Sequence, residues 1–310
     1  MRVDDAFRRI PGIPEAAGPV MTAMTDRRLF AANARVAHVS LSGNPEVTRQ
    51  RNIRFVDGHR ASVVAPVVDL LQSPGGARDR QLLAGAGFLI LEADSGGGMA
   101  FGRCEADGYV GYVARAGLGT FRAPTHRVTS LGAHVYAKPE IRAEPVTALP
   151  FRAGVVVREG SEANSRDWFR ELVTGGFMAA SQLEPVAVQA ADPVVTAERL
   201  EGAPYLWGGD SNWGLDCSAL VQMSLEAAGI VAPRDSDMQA GAVGTPLDSN
   251  APLGRGDLVF WNGHVGIMAD GLCLIHANAF HMAVTIEPLD EVVSRIRSAG
   301  EGDVTVKRRP

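Results

Sequence analysis

Short apolar runs set the texture of the chain from about residue 61. "ASVVAPVVDLL", "GFLILEAD", "MAFGRC" and "GYVGYVA" are each bounded by Gly, Pro, Asp or Ser, the pattern of brief strands separated by tight turns. A second set follows after about residue 124: "VTSLGAHVYAKP", "AGVVVREG", "DWFRELV" and "GFMAASQL". The sets agree in order. Pro74 matches Pro139 65 residues on, "GFLILE" (87–92) matches "GVVVRE" (154–159) 67 on, and "GYVARAGL" (111–118) matches "GFMAASQL" (176–183) 65 on. Ordered strands at a near-constant offset predict a duplicated small β-barrel, over 61–122 and 126–186. One larger β-sandwich is the alternative. Residues 1–60 are Arg-rich and weakly patterned, and read as an N-terminal extension.

Beyond residue 190 the period changes. Residues 187–198 read as a linker and the start of a helix. "DCSALVQMSLEAAGI" sets Leu220, Val221, Leu225 and Ala228 at helical spacing, with Asp216 as candidate N-cap and Gly229 as the stop. Strands are predicted over 258–261, 264–268 and 272–277, with Asn262-Gly263 and Asp270-Gly271 at the turns. Helix plus antiparallel hairpins over 190–310 makes the fold class α+β.

Composition narrows the function. The chain has 310 residues, 46% hydrophobic and 21% charged, room for two or three domains. Net charge is −5 with no basic run, so nucleic acid is not an expected partner. No run of about eighteen apolar residues predicts a membrane span. The first thirty residues interrupt any apolar segment with acidic residues and prolines, so a cytoplasmic protein is expected, starting at Met1, Met21 or Met24. Cys104, Cys217 and Cys273 are far apart and odd in number, which suits a reducing compartment. No C-x-x-C pair suggests a metal, and no cofactor is expected.

Cys217 falls in the first turn of its helix. There the unpaired N–H groups and the dipole favour a thiolate over the free thiol's pKa of about 8.5. The same groups could hold an oxyanion. A buried structural cysteine is the alternative. A base is available in His264, which opens one strand, and His276, which ends its neighbour. A two-residue loop at 270–271 would set the rings on opposite faces. A three-residue loop, Ala269-Asp270-Gly271 with Gly271 left-handed, sets His264 opposite His276 on one face, and is the reading adopted. His276 then orients His264, or is a core histidine; His281 is a competitor for that role. His38, His59, His126 and His134 receive no role.

These motifs carry a resemblance. "PYLWGGDSNWGLDCSALVQ", "GDLVFWNGHVGI" and "LIHA", over about 198–290, resemble the NlpC/p60 family of papain-like cysteine peptidases. The preceding strand series is similar to bacterial SH3-like domains, although Met99 stands where these usually carry Trp. The resemblance implies Cys217 as nucleophile, His264 as general base and acid, His276 as orienting residue, and Tyr205 beside the thiol. The family usually has Gly where Ala219 follows Asp-Cys-Ser here. Family members cleave bacterial cell-wall peptides, commonly at the γ-D-glutamyl–diamino acid bond. In the subgroup with SH3-like domains, a barrel residue closes the cleft so that only peptides with a free N-terminal L-Ala fit. The matching positions are Tyr109, Asp216 and Ser218, with Trp207 and Ser236 as further lining. An ammonium group in a closed cleft needs a carboxylate and acceptor oxygens. Helix capping by Asp216 and barrel packing by Tyr109 are the plainer roles for these two residues. The expectation is a cytoplasmic muropeptide-recycling endopeptidase acting on short wall peptides. A non-catalytic wall-binding module and a thiol amidase or acyltransferase are the alternatives.

Overall fold

A computed structural model of the protein describes residues 26–50, 52–161 and 168–310; the candidate starts Met1, Met21 and Met24 lie outside them. In the extension, β1 (Val36–His38) pairs in parallel with β2 (Arg54–Val56), with the short helix α1 (Pro45–Thr48) between them. Asn44 caps α1 by accepting from the Glu46 N–H at 2.8 Å. Ala31 and Val36 pack on Leu91, Phe101 and Val110, so this segment covers one side of the strands that follow.

Those strands are β3 (His59–Val63), β4 (Val67–Leu71), β5 (Arg78–Leu83), β6 (Gly87–Glu92), β7 (Met99–Cys104), β8 (Val110–Ala114) and β9 (Leu118–Thr120). They form one antiparallel sheet in the order β5-β4-β8-β7-β6-β3-β9. Alternation decides its interior: Val68 and Leu70 of β4 turn in with Phe88, Ile90 and Val113. The next seven are β10 (His126–Val128), β11 (Gly132–Tyr136), β12 (Pro145–Pro150), β13 (Gly154–Val155), β14 (Phe169–Glu171), β15 (Phe177–Ala179) and β16 (Leu183–Pro185). Their pairings repeat the first set strand for strand. β3 pairs β6 and β9 as β10 pairs β13 and β16, and β4 pairs β5 and β8 as β11 pairs β12 and β15. The β6–β7 ladder shrinks to a single bridge, Val157 to Leu172, in the second unit.

The last unit holds α2 (Pro193–Arg199), the small hairpin β17 (Asp210–Ser211) and β18 (Gly214–Leu215), α3 (Cys217–Ala227) and α4 (Ser236–Ala242). A six-stranded sheet follows: β19 (Thr245–Pro246), β20 (Leu258–Trp261), β21 (His264–Met268), β22 (Cys273–Asn278), β23 (Ala283–Pro288) and β24 (Val306–Arg309), with α5 (Leu289–Ser298) before the last strand. Its order is β19-β24-β20-β21-β22-β23. Both faces are covered. Leu258, Phe260, Val265, Ile267 and Ile275 pack against Leu220, Val221 and Leu225 of α3. Val259, Trp261, Met268 and Leu274 turn the other way, against Val292 and Ile296 of α5. That is why β20 reads as an unbroken apolar run. Among the described residues, no helix is long and apolar enough to cross a membrane.

Candidate active site

The approach to α3 is shaped by two glycines. Gly208 adopts φ +70°, and a Cβ on Gly209 would lie 2.3 Å from the Gly214 carbonyl oxygen. Asp216 then caps α3, its Oδ1 accepting from the Ala219 N–H at 2.9 Å, while Oδ2 accepts from the Gly208 N–H at 3.0 Å. Sequence reasoning missed the partner of this carboxylate. Arg234, buried to 1% exposure, donates to Asp216 through Nη1 at 2.9 Å and Nη2 at 2.8 Å. Ser218 Oγ donates to Asp216 at 3.2 Å and accepts from Arg234 Nη1 at 2.8 Å. Asp216 and Ser218, expected to meet a substrate ammonium, thus both face Arg234. Five donors already surround the Asp216 carboxylate, about the full capacity of its lone pairs.

Cys217 opens α3 and is 7% exposed. Its sulfur lies within reach of the Ser218 and Val265 N–H groups, which favour thiolate. Burial, followed by the Asp216 charge, outweighs them and pushes the thiol up to about 12. Desolvation thus opposes the thiolate that the helix position favours.

The histidine pair belongs to β21 and β22. The β20–β21 loop is the predicted two residues, with Trp261 facing His264, and Gly263 is at φ +78°. The β21–β22 loop has three residues, but they are 270–272, not 269–271. Ile267 faces Ile275, Met268 faces Leu274, and the Ala269 N–H bonds the Cys273 carbonyl. Asp270 Oδ1 fixes this loop by accepting from the Leu272 and Cys273 N–H groups at 2.7 and 2.8 Å. Gly271 is not left-handed; the carboxylate supplies the turn instead. The register is displaced by two, which preserves parity. His264 and His276 share a face and meet diagonally, Nε2 of His264 lying 2.8 Å from Nδ1 of His276.

The contacts continue past His276, which is 1% exposed. Its Nε2 is 2.9 Å from Glu287 Oε1 on β23. That oxygen also accepts from Thr285 Oγ1 at 2.9 Å and Arg295 Nη2 at 2.9 Å, while Arg295 Nη1 lies 2.7 Å from Oε2. His281 Nε2 stands 3.3 Å from Oε1 and does not touch the His264 ring contact. Burial pushes His264 down to about 3, helped by His276 and Arg295 and opposed by Glu287. His276 is also lowered, by burial, against the pull of Glu287. Glu287 is held well below the ordinary carboxylate range by its His276, Arg295 and Thr285 hydrogen bonds, despite desolvation. The sequence did carry a signal for Glu287. Thr285 and Glu287 recur at period two on the strand beside His276, with Thr285 directly opposite it.

The remaining candidates lie around α3. Tyr205 is half-buried, and burial with the Cys217 and Asp216 charges raises its phenol above its ordinary range. Trp207 is exposed, its carbonyl accepting from Arg78 Nε at 3.2 Å. Ser236 is the half-buried first residue of α4. Tyr109 both packs in the first barrel core and reaches out of it, donating to Asp235 Oδ2 at 3.0 Å. Asp235 was not among the expected residues. Burial raises its carboxyl, against the pull of Arg234 and Arg28. Arg28 of the extension donates to Asp235 Oδ2 at 2.8 Å and to Asp237 Oδ2 at 2.7 Å. Among the described residues, no group of three or more His, Cys, Asp or Glu is arranged to hold a metal ion.

The Cys217 thiol thus stands at a helix start within reach of the Val265 N–H, and the residue before Val265 is the first of a hydrogen-bonded imidazole pair. Residues 202–300 match the NlpC/P60 family, and residues 70–118 match the bacterial dipeptidyl-peptidase Sh3 domain. The gamma-D-glutamyl-L-lysine dipeptidyl-peptidase of Bacillus subtilis (strain 168) is 34% identical over 129 residues, covering 38% of this chain and 43% of that protein. Dipeptidyl-peptidase 6 of Lysinibacillus sphaericus is 26% identical over 178 residues, covering 54% and 65%. The chain thus spans less than two thirds of either relative's length. In three dimensions it is similar to an NlpC/P60 family protein from Bacillus cereus, with a TM-score of 0.66, 19% identity, and coverage of 81% of this chain and 99% of that one. At that identity the likeness concerns the fold.

Proposed function

On the premise that the chain carries an NlpC/P60 cysteine-peptidase domain behind a bacterial SH3-type domain, we propose that it is an endopeptidase hydrolysing the γ-D-Glu–diamino acid bond of short cell-wall peptides with a free N-terminal L-Ala. The observation that carries this reading is the 2.8 Å contact between His264 Nε2 and His276 Nδ1, at the strand end where the Cys217 sulfur meets the Val265 N–H. It leaves His264 Nδ1 as the nitrogen for the thiol. The similarity to two dipeptidyl-peptidases supports the bond class.

The steps are those of acyl transfer. The thiol proton moves to His264 Nδ1 as sulfur adds to the γ-carbonyl carbon. N–H groups at the start of α3, with Tyr205, receive the oxyanion. The C–N bond breaks, and His264 protonates the leaving diamino acid. Water then adds to the thioester, giving its proton to His264, and the freed carboxylic acid leaves Cys217 as thiol. Tyr109, Asp235 and Ser236 form the end that receives the L-Ala ammonium. Trp207 lines it, and Asp216 and Ser218 hold it through Arg234. A free L-Ala amine exists only after another enzyme has cut the peptide from its sugar, so we place the activity in recycling of wall peptides inside the cell.

The test is incubation with L-Ala-γ-D-Glu-diaminopimelate, its lysine counterpart and an N-acetylated copy. Release of L-Ala-D-Glu from the free peptides only is expected. No cleavage of any of them overturns the activity, and equal cleavage of free and acetylated peptides overturns the ammonium site.

A further inference from the structure

We propose that Glu287, clamped by Arg295, is a positioning residue that acts through His276 to decide which nitrogen of His264 carries the proton. The inference rests on the reading of His264 as base toward Cys217, and extends the catalytic set two residues beyond it.

The argument is one of donors and acceptors. The Arg295 guanidinium faces Glu287 with two nitrogens, at 2.9 Å and 2.7 Å, and Thr285 donates at 2.9 Å. A carboxylate so surrounded stays ionised, and an ionised carboxylate only accepts. The 2.9 Å contact from His276 Nε2 therefore places a proton on that nitrogen. A neutral His276 protonated at Nε2 has a lone pair at Nδ1. The 2.8 Å contact from that lone pair then places the proton of His264 on its Nε2. His264 Nδ1 is left as the only basic nitrogen of the ring. When it takes the thiol proton, the positive charge spreads toward Glu287 through two hydrogen bonds already in place.

Arg295 has a second effect. Glu287 alone would draw a proton onto His276, making both of its nitrogens donors. His276 Nδ1–H would then face His264 Nε2 and reverse the His264 tautomer. The guanidinium offsets that pull, consistent with His276 lying below its ordinary range. Period-two placement on β23 and the first turns of α5 bring these two residues to one point, eight positions apart.

Nitrogen-15 NMR of the imidazole rings in the full chain at pH 7 tests this without any substrate. Both His264 and His276 are expected as Nε2–H tautomers. Finding His276 protonated at Nδ1 overturns the proposal. Glu287→Gln gives the second arm. An amide can turn its oxygen toward the ring or toward Arg295 Nη1, not both, so each ring should become a mixture of tautomers. With the free wall peptide, kcat should fall roughly 10- to 100-fold with KM little changed, the usual cost of losing a group that orients an active ligand. Unchanged tautomers and unchanged kcat in the folded variant overturn the proposal. If the wild-type protein cleaves no peptide, the functional reading fails, while the tautomer measurement still decides the role of Glu287.

Discussion

Cys217 is buried and His264 half-buried, and desolvation opposes the charged form of each, pushing the thiol up to about 12 and the imidazole down to about 3. Desolvation thus favours the uncharged form of both groups. Stability has a pH signature as a result. The unfolded chain protonates His264 near its ordinary value of about 6.5, while the folded chain resists until about 3. Across that window the unfolded state binds the extra proton, so stability falls as pH falls, by at most about 1.4 kcal/mol per unit. Glu287 is lowered, so its contribution is complete above its unfolded pKa of about 4.5 and is lost only below it. It does not interfere between pH 7 and 5. Urea unfolding at those two pH values should show the wild type losing about 1–2 kcal/mol more than His264→Gln. Equal losses would mean that the ring is solvated in the folded protein. The residues of this pair stood out in the sequence because the nucleophile and base we propose are residue types with few rivals in a chain of three cysteines and seven histidines. Their protonation did not, since burial depends on what packs over α3.

At the scale of elements, α3 has a cap that is also half of a buried ion pair. If Asp216 served capping alone, Asp216→Asn would be nearly neutral, because Asn caps as well as Asp. The bidentate contacts from Arg234 predict otherwise. Removing the charge leaves a guanidinium buried at 1% exposure short of one carboxylate, and such losses cost about 3–5 kcal/mol. Asp210 stays close, 2.8 Å from Arg234 Nε, as an ion pair without hydrogen-bond geometry, and moderates the loss. Urea unfolding of Asp216→Asn should thus show about 2–4 kcal/mol of destabilisation, whereas less than 1 kcal/mol would reduce Asp216 to a cap. The β21–β22 hairpin shows what sequence can and cannot fix at this scale. Alternation determined which face the histidines share, because a strand's period is two whatever its register. The register itself was set by Asp270 accepting from two N–H groups, a choice that a Gly next door does not reveal.

Across the whole molecule, the first barrel is joined to α3 by alternating buried charges. Asp107 of the β7–β8 turn contacts Arg80 of β5; Arg80 Nη2 reaches Asp210 Oδ1 at 3.4 Å; Arg234 links Asp210 to Asp216. Gln222 of α3 joins from its own side, its Nε2 3.2 Å from Asp107 Oδ2. The repeated strand pairing was legible from offsets along the chain, since a repeat needs only one sequence to be seen. This joint was not, because its partners lie over a hundred residues apart and each looks like an ordinary surface charge until the domains meet. Its consequence is functional. Tyr109 follows Asp107 by two residues and bonds Asp235, so the barrel's alignment sets where the proposed ammonium site closes. Arg80→Met keeps most of the apolar stem and removes the charge. Asp107 and Asp210 are then left facing each other, and the barrel edge should loosen while Cys217 and His264 keep their places. For the free wall peptide, KM should rise about tenfold, the loss of one charge-assisted hydrogen bond, with kcat within about twofold. Selectivity against the N-acetylated peptide should shrink by the same factor. Hydrogen exchange should quicken in β5 and β17 and stay unchanged in β21 and β22. A KM and a selectivity that match the wild type, alongside unaltered exchange in β5, would show that apolar packing alone aligns the barrel.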